Sequence, residues 1–353
     1  MTSDVFFLSI EDYKKNNKRL SDLFNKAGFD SCINRNDFSA IKIHFGEDKL
    51  NTFIPPDMVK PIIESLKRCE ARPFLTDTCV LYKAMRDNAV GHLLVAYKHG
   101  YSIDNLGIPV IIGDGLLGNQ DDEIEIRGEI FNTVELSSIV FETNSMIVIS
   151  HVTGHMGTGM GAAIKNIGMG LASRKGKLRQ HSGMNPTIKQ KKCTGCGVCI
   201  EWCPVDAISL KDQKAFIDPK KCIGCGECLA VCNFNAVGFR WHFEGVELQK
   251  RMAEHALGVV KVNSGKIGFI NFLINITKDC DCMTFTQEPI VEDIGFLASK
   301  DPVAVDNATL DLISKRAGKN IGELSYPEID EKAQIRHGEK IGLGSSDYRL
   351  IEI

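Results

Sequence analysis

With 353 residues and 43% hydrophobic content, the chain has room for two domains, or for one large domain carrying an insertion. A net charge of -3 argues against a general nucleic-acid binder, and no apolar run is long enough to span a bilayer. The opening Met-Thr-Ser-Asp-Val-Phe-Phe has no basic stretch followed by an apolar one, so no signal peptide is expected.

To about Ser31 the chain reads as helical, with Tyr13, Leu20, Leu23 and Phe24 on an apolar face. The first strong strand is Phe38 to Gly46, which alternates Lys42 and His44 on one face with Ile41, Ile43 and Phe45 on the other. A helix starting at Pro55-Pro56 runs to about Cys69, and a strand follows from Arg72 to Thr78. Strand, helix, strand at this spacing is a parallel βαβ unit. A helix from about Asp87 to His99 ends at Gly100, and strands follow at Ile108–Ile112 and Met146–Ser150. The glycine-rich stretch from Gly157 to Gly168, which carries Lys165, either offers backbone N–H groups to an anion or makes a tight turn into a packed helix. From Arg174 to Lys192 the chain is basic and polar, and reads as a solvated linker or as a docking surface for an acidic partner or anionic substrate.

Two tandem C-x2-C-x2-C-x3-C runs follow: Cys193, Cys196, Cys199 and Cys203, then Cys222, Cys225, Cys228 and Cys232. This is the run of the bacterial two-cluster ferredoxin, in which the fourth Cys of each run ligates the other cluster. Two [4Fe–4S] clusters are therefore expected, one on Cys193, Cys196, Cys199 and Cys232, the other on Cys222, Cys225, Cys228 and Cys203. Two adjacent clusters make a relay, where a structural staple would need only one. The remaining cysteines are Cys32, Cys69, Cys79, Cys280 and Cys282. Oxygen-sensitive clusters beside leftover thiols point to a reducing cytoplasm and to no disulfides.

After a helix from about Gly245 to Leu257 the α/β pattern resumes. A strand at Ile267–Ile276 delivers Asp279-Cys280-Asp281-Cys282, and Ile294–Ala298 and Asp301–Asp306 precede a helix at Asn307–Lys315. The expected architecture is an α/β body, residues 1–186 and 241–353, built on a mostly parallel open sheet with helices on both faces. A small α+β ferredoxin-like domain, residues 187–240, is inserted in it. Open α/β sheets bind ligands beyond the carboxyl ends of their strands. His44, Glu47, Asp77, Asp114, His151, His155, Asp279, Cys280, Cys282 and Asp301 all fall at such ends, and they are metal ligands or acid–base groups. Cys280 and Cys282, one residue apart, point to one side of an extended chain. They hold a metal or cluster completed by His44, His151 or His155, or form a redox dithiol, or are merely two partly buried thiols. Lys42 and Lys165, with His44, are the candidates for handling an anionic substrate.

Ile41-Lys-Ile-His44-Phe-Gly46-Glu47, Thr76-Asp77-Thr78, His151-Val-Thr-Gly-His155, Gly161-Ala-Ala-Ile-Lys-Asn-Ile-Gly168, Asp279-Cys-Asp-Cys282 and Ser299-Lys-Asp301-Pro-Val-Ala-Val-Asp306 together resemble the DUF362 family. Many of its members carry a 4Fe–4S ferredoxin module. The resemblance covers about Phe38 to Asp306 and implies an iron–sulfur protein with a redox role. The body is also similar to nickel-dependent lactate racemase-like proteins, without a motif that carries over their active site. Three functions follow as expectations. The first moves low-potential electrons between the clusters and a second metal, cluster or substrate site at the strand ends, exchanging them with a ferredoxin, flavodoxin or reductase. The second is a carrier with the body as docking platform. The third is a non-redox metal enzyme with structural clusters.

Overall fold

The strongly apolar segments of the sequence are strands covered on both faces. The computed structural model describes residues 2–182, 185–240 and 244–353; Gly183 and Met184 of the expected linker, and Trp241 at the expected start of the second body segment, lie outside them. Eight strands form the central sheet: β1 (Ser3–Ser9), β2 (Phe38–Ile43), β3 (Arg72–Asp77), β4 (Val110–Ile112), β5 (Ser145–His151), β6 (Ile267–Leu273), β7 (Gly295–Ser299) and β8 (Tyr348–Glu352). Their order is β8-β1-β7-β6-β5-β2-β3-β4. Every side chain of β6 is buried. Ile267, Phe269 and Leu273 join one apolar core, while Ile270 and Phe272 join the other, on the opposite face. This period-two division makes a two-sided strand read as a continuous apolar run.

The principal helices are α1 (Pro56–Arg68), α2 (Ala89–Lys98), α3 (Ala163–Gly168), α4 (Arg174–His181), α5 (Gly245–Asn263) and α6 (Pro302–Ala317). The fold is thus α/β with a large, mostly parallel sheet flanked by helices. Strands β6, β5, β2, β3 and β4 are parallel neighbours. β7 is antiparallel to β6 and to β1, and β8 is parallel to β1, so β7 alone runs against the rest.

Three expectations are corrected. The first residues are not all helical: Ser3–Ser9 is β1, and only Ile10–Lys15 and Arg19–Lys26 behind it are helices. It carries the apolar run Val5-Phe-Phe-Leu8, but its partners β7 and β8 lie at the far end of the chain. The helix expected at Asn307–Lys315 begins earlier, at Pro302, and runs to Ala317. Asp301 caps α6 by accepting from the N–H groups of Val303 and Ala304, and Pro302 opens the helix. Arg174 to His181 is not a solvated linker but α4, whose Arg174, Lys177 and His181 are buried. Arg174 donates to the carbonyls of Leu117 and Asp87, and Lys177 to Thr78 Oγ1 and the Ala172 carbonyl, so the body itself satisfies these charges.

Residues 187–238 add no strand to the central sheet. Thr187–Ile188 pairs antiparallel with Val237–Gly238, Ile208–Lys211 with Lys214–Ile217, and two short helices, Val198–Glu201 and Glu227–Val231, lie between. The segment leaves the body after β5 and returns before β6, and those two strands are sheet neighbours. Its small core contains Ile208, Leu229, Ala236 and Val237, joined by Leu81 and Leu178 of the body.

Candidate functional site

The eight cysteines of the two runs divide around two hollows. One is lined by Cys193, Cys196, Cys199 and Cys232, the other by Cys203, Cys222, Cys225 and Cys228. The fourth cysteine of each run has crossed to the other set. Gly195, Gly197, Gly224 and Gly226 all have φ between 71° and 84°, turning the backbone around each set in a conformation that side chains disfavour. The crossing cysteines are held alike: Ala207 N donates to Cys203 Sγ at 3.2 Å and Ala236 N to Cys232 Sγ at 3.3 Å, each four residues on. Ala215 N donates to Cys193 Sγ at 3.3 Å. Against burial, such N–H donors hold the Cys232 thiol below its usual range. Among the described residues no three His, Cys, Asp or Glu side chains converge closely enough to hold a single metal ion.

The second group of reactive side chains lies at the rim where the parallel strands end. Met283 N donates to the Cys280 carbonyl at 3.1 Å, so the thiol pair sits in a β-turn and not on an extended chain. Cys280 is buried, Cys282 half-buried. The Cys280 thiol donates to Cys282, and this bond, with His44 and Lys165 nearby, holds Cys282 well below the usual thiol range against the effect of burial. The same bond, with burial, pushes Cys280 up. Burial draws Lys165 down, but Cys280, Cys282 and Asp281 outweigh it and raise the ammonium.

The histidines around this pair present N–H groups. His44 Nδ1 accepts from Gly46 N at 3.0 Å, which puts the proton on Nε2, 3.6 Å from Cys282 Sγ. His155 Nδ1 accepts from Gly157 N and Thr158 N at 3.0 and 3.1 Å, so its proton too is on Nε2. Burial and then Lys165 hold His155 neutral. His151 uses both nitrogens, Nδ1 on Asp281 Oδ2 and Nε2 on the Ile274 carbonyl, each at 2.8 Å. Both partners are acceptors, so the ring is a cation, and its pKa is raised against burial by Asp281. Asp281 is held low in return, against burial. The expected metal set of Cys280, Cys282, His44, His151 and His155 therefore does not assemble: none of the three rings turns a lone pair to the thiols.

Other expected residues have structural places. Lys42 is 1% exposed, 2.9 Å from Asp77 and 2.7 Å from Asn166, and so is sealed away from any substrate. Burial lowers its ammonium, and Lys42 in turn overcomes burial to hold Asp77 well down. Asp114 accepts from Cys79 N through both oxygens at 3.0 Å and braces that loop. Asp279 accepts from the Tyr326 hydroxyl. Asp301 lies at the opposite rim because β7 runs antiparallel. Of the two readings of Gly157–Gly168, the turn into a packed helix accounts for its N–H groups: Asp306 accepts from Ala163 N and Ile164 N at 2.9 and 2.8 Å.

The segment Cys79–Asp87 gave no sequence signal. Tyr82 reaches Glu47 Oε2 and the Cys282 carbonyl, each at 3.4 Å, and Arg86 donates to Glu47 at 3.0 Å and to Tyr82 at 3.0 Å. Arg86 is 1% exposed, and an isolated Arg in a loop carries no pattern that foretells burial.

Solved structures similar to this chain include the following two. The lactate racemase apoprotein from Thermoanaerobacterium thermosaccharolyticum aligns at 10% identity and TM-score 0.39, over 77% of this chain and 51% of that one. A protein from Thermotoga maritima aligns at 8% identity and TM-score 0.39, over 74% of this chain and 50% of that one. The chain thus spans about half the length of these solved relatives. No curated protein matches it. Residues 40–311 match the model described as a domain of unknown function, DUF362, and the chain belongs to that family.

Proposed function

We propose that this protein is an iron–sulfur redox protein in which each cysteine set holds a [4Fe–4S] cluster, and that the clusters exchange electrons with the Cys280–Cys282 site. The observation that carries the reading is the division of eight cysteines into two crossed sets, each around its own hollow. A single zinc would need its sulfurs about 2.3 Å from one point, a convergence absent among the described residues. A cluster spreads its irons and suits sulfurs ringed around a hollow. When bound, such clusters supply one-electron transfer over a wide range of potentials.

The chain's own residues support a path in and out. Cys196 is exposed, and Trp202, Ile223 and Phe234 stand in solvent near the cysteine runs, a surface suited to a docking redox protein. On the inner side, Leu81 packs into the core of the cysteine segment and Tyr82 touches the thiol turn. The charge network around that turn favours a reacting site over a plain docking platform, with Lys165 positioned to attract a small anionic substrate. These thiols and clusters suit a reducing cytoplasm.

The test is iron, acid-labile sulfide, zinc and nickel per chain in anaerobically purified protein, with EPR before and after dithionite. About eight irons and two interacting reduced [4Fe–4S] signals are expected. Protein that takes up no iron on anaerobic reconstitution, or holds zinc on these cysteines, overturns the reading.

A further inference from the structure

We infer that Cys280 and Cys282 form a reversible dithiol–disulfide couple that accepts two electrons from the cysteine-lined centres and spends them on a disulfide substrate. The inference rests on the proposed function and names the chemistry of its second site.

Four observations converge. The turn closed by Met283 N and the Cys280 carbonyl puts the two cysteines at its first and third positions, where chain reversal brings their Cα atoms toward disulfide range. Cys280 is buried and Cys282 half-buried, so the second sulfur is the more open of the two to a substrate. His44 Nε2–H lies 3.6 Å from Cys282 Sγ and Lys165 is among the charges facing both sulfurs, an electropositive setting that favours a thiolate over a thiol. Finally, the rim histidines turn N–H groups or hydrogen-bonded nitrogens to their surroundings, so the thiols lack imidazole co-ligands.

Cys79 and Cys32, also outside the two runs, are placed differently. Cys79 is buried with its sulfur toward the Gly115 carbonyl at 3.8 Å, and burial pushes its thiol up. Cys32 is buried against the Gly28 carbonyl, also at 3.8 Å.

The chemistry balances. The Cys282 thiolate attacks one sulfur of a substrate disulfide, forming a mixed disulfide and expelling the first substrate thiolate. Cys280 then gives up its proton, attacks Cys282 Sγ and expels the second. Clusters held by the two cysteine sets would supply the two electrons that, with one proton returning to Cys280, reopen the Cys280–Cys282 disulfide, and a one-electron donor protein would refill them. Overall, one disulfide, two electrons and two protons give two thiols.

The test uses the anaerobic holoprotein and glutathione disulfide as probe. After equilibration in glutathione redox buffers, thiols are alkylated and the peptide carrying Cys280 and Cys282 is weighed. The expected result is a peptide without alkyl groups under oxidising buffer and with two under reducing buffer. In a reductive titration the oxidised wild type should take up about four electrons, and Cys280→Ser/Cys282→Ser about two. Two alkyl groups under every buffer, a stable glutathione adduct without an internal disulfide, or equal electron uptake by both proteins overturns the couple. The peptide measurement needs no variant, so a double mutant that fails to fold leaves it standing. Eight irons with a permanently reduced pair would sink the couple and spare the cluster reading; an internal disulfide in a chain that takes up no iron would do the reverse.

Discussion

Leu81 and Tyr82 are adjacent in the chain and belong to two different sites. The Leu81 side chain is buried in the core of the cysteine segment, while the Tyr82 hydroxyl lies 3.4 Å from the Cys282 carbonyl. A single peptide unit thus spans from the packing of the cysteine-lined hollows to the thiol turn. Tyr82→Phe removes the hydroxyl that meets Glu47, Arg86 and Cys282 and leaves the ring. Iron content should be unchanged, while the rate at which reduced clusters re-oxidise on the Cys280–Cys282 disulfide should fall by up to about tenfold, the worth of one hydrogen bond. Stopped-flow absorbance of the clusters reads this directly. Leu81→Ala should cost about 2–5 kcal/mol of stability in denaturant unfolding.

The crossing of the fourth cysteines is testable one residue at a time. Cys203→Ser should alter the EPR signal that Cys222→Ser alters, and Cys232→Ser the signal that Cys193→Ser alters. Pairing within each run instead would show Cys203 grouped with Cys193.

Cys282 should behave as a thiolate at neutral pH. Because its pKa lies well below the ordinary thiol value, its iodoacetamide rate should stay flat from alkaline pH through neutrality and fall only in acid. His44→Ala removes one of the groups that hold it down, so the fall-off should move to higher pH. Cys79, pushed the other way by burial, should stay unreactive until the protein unfolds.

The Lys42–Asp77 pair is almost fully buried at 2.9 Å. Lys42→Met leaves Asp77 beside Arg86 and His92 without its nearest cation, and should cost about 3–5 kcal/mol in denaturant unfolding. Lys42→Met with Asp77→Leu should recover part of that loss, because the stranded charge is gone.

Acid should weaken the fold through buried neutral histidines. Burial lowers His92 to about 4 and His255 to about 3. Their native pKa values lie below the unfolded one, so the unfolded chain binds more protons, and stability falls as pH drops from about 6.5 toward those values. At pH 5 each should have cost about 2 kcal/mol. Asp306, pushed up to about 6 by burial, acts in the opposite sense over part of that range. His255→Gln removes one titration, so the stability difference between pH 7 and pH 5 should shrink by about 2 kcal/mol, as read by denaturant melts at both pH values.

Much of the fold follows from local pattern. Alternation marked β2, and a two-sided apolar run marked β6, because burial on one or both faces is written residue by residue along a strand. The grouping of the first three sulfurs of each run follows from their close spacing, while the crossing of the fourth depends on the two runs packing together. Expectations failed where a partner lies far along the chain. Ser3–Ser9 is a strand because β7 and β8 flank it. Asp301 left the rim because β7 reverses, and strand direction is decided by neighbours rather than by composition. The rim residues themselves were legible as a cluster of reactive side chains at strand ends, but their roles were not. His44 and His155 became N–H donors through backbone amides two residues on, and His151 became a cation through Asp281, 130 residues away. What the sequence alone determined is the set of sulfurs and the parallel scaffold, both short-range. The tertiary structure decided the cation at His151, the charge on the buried side chains and the closeness of Leu81 and Tyr82 to two sites, since hydrogen bonding and desolvation there depend on groups that only folding brings together.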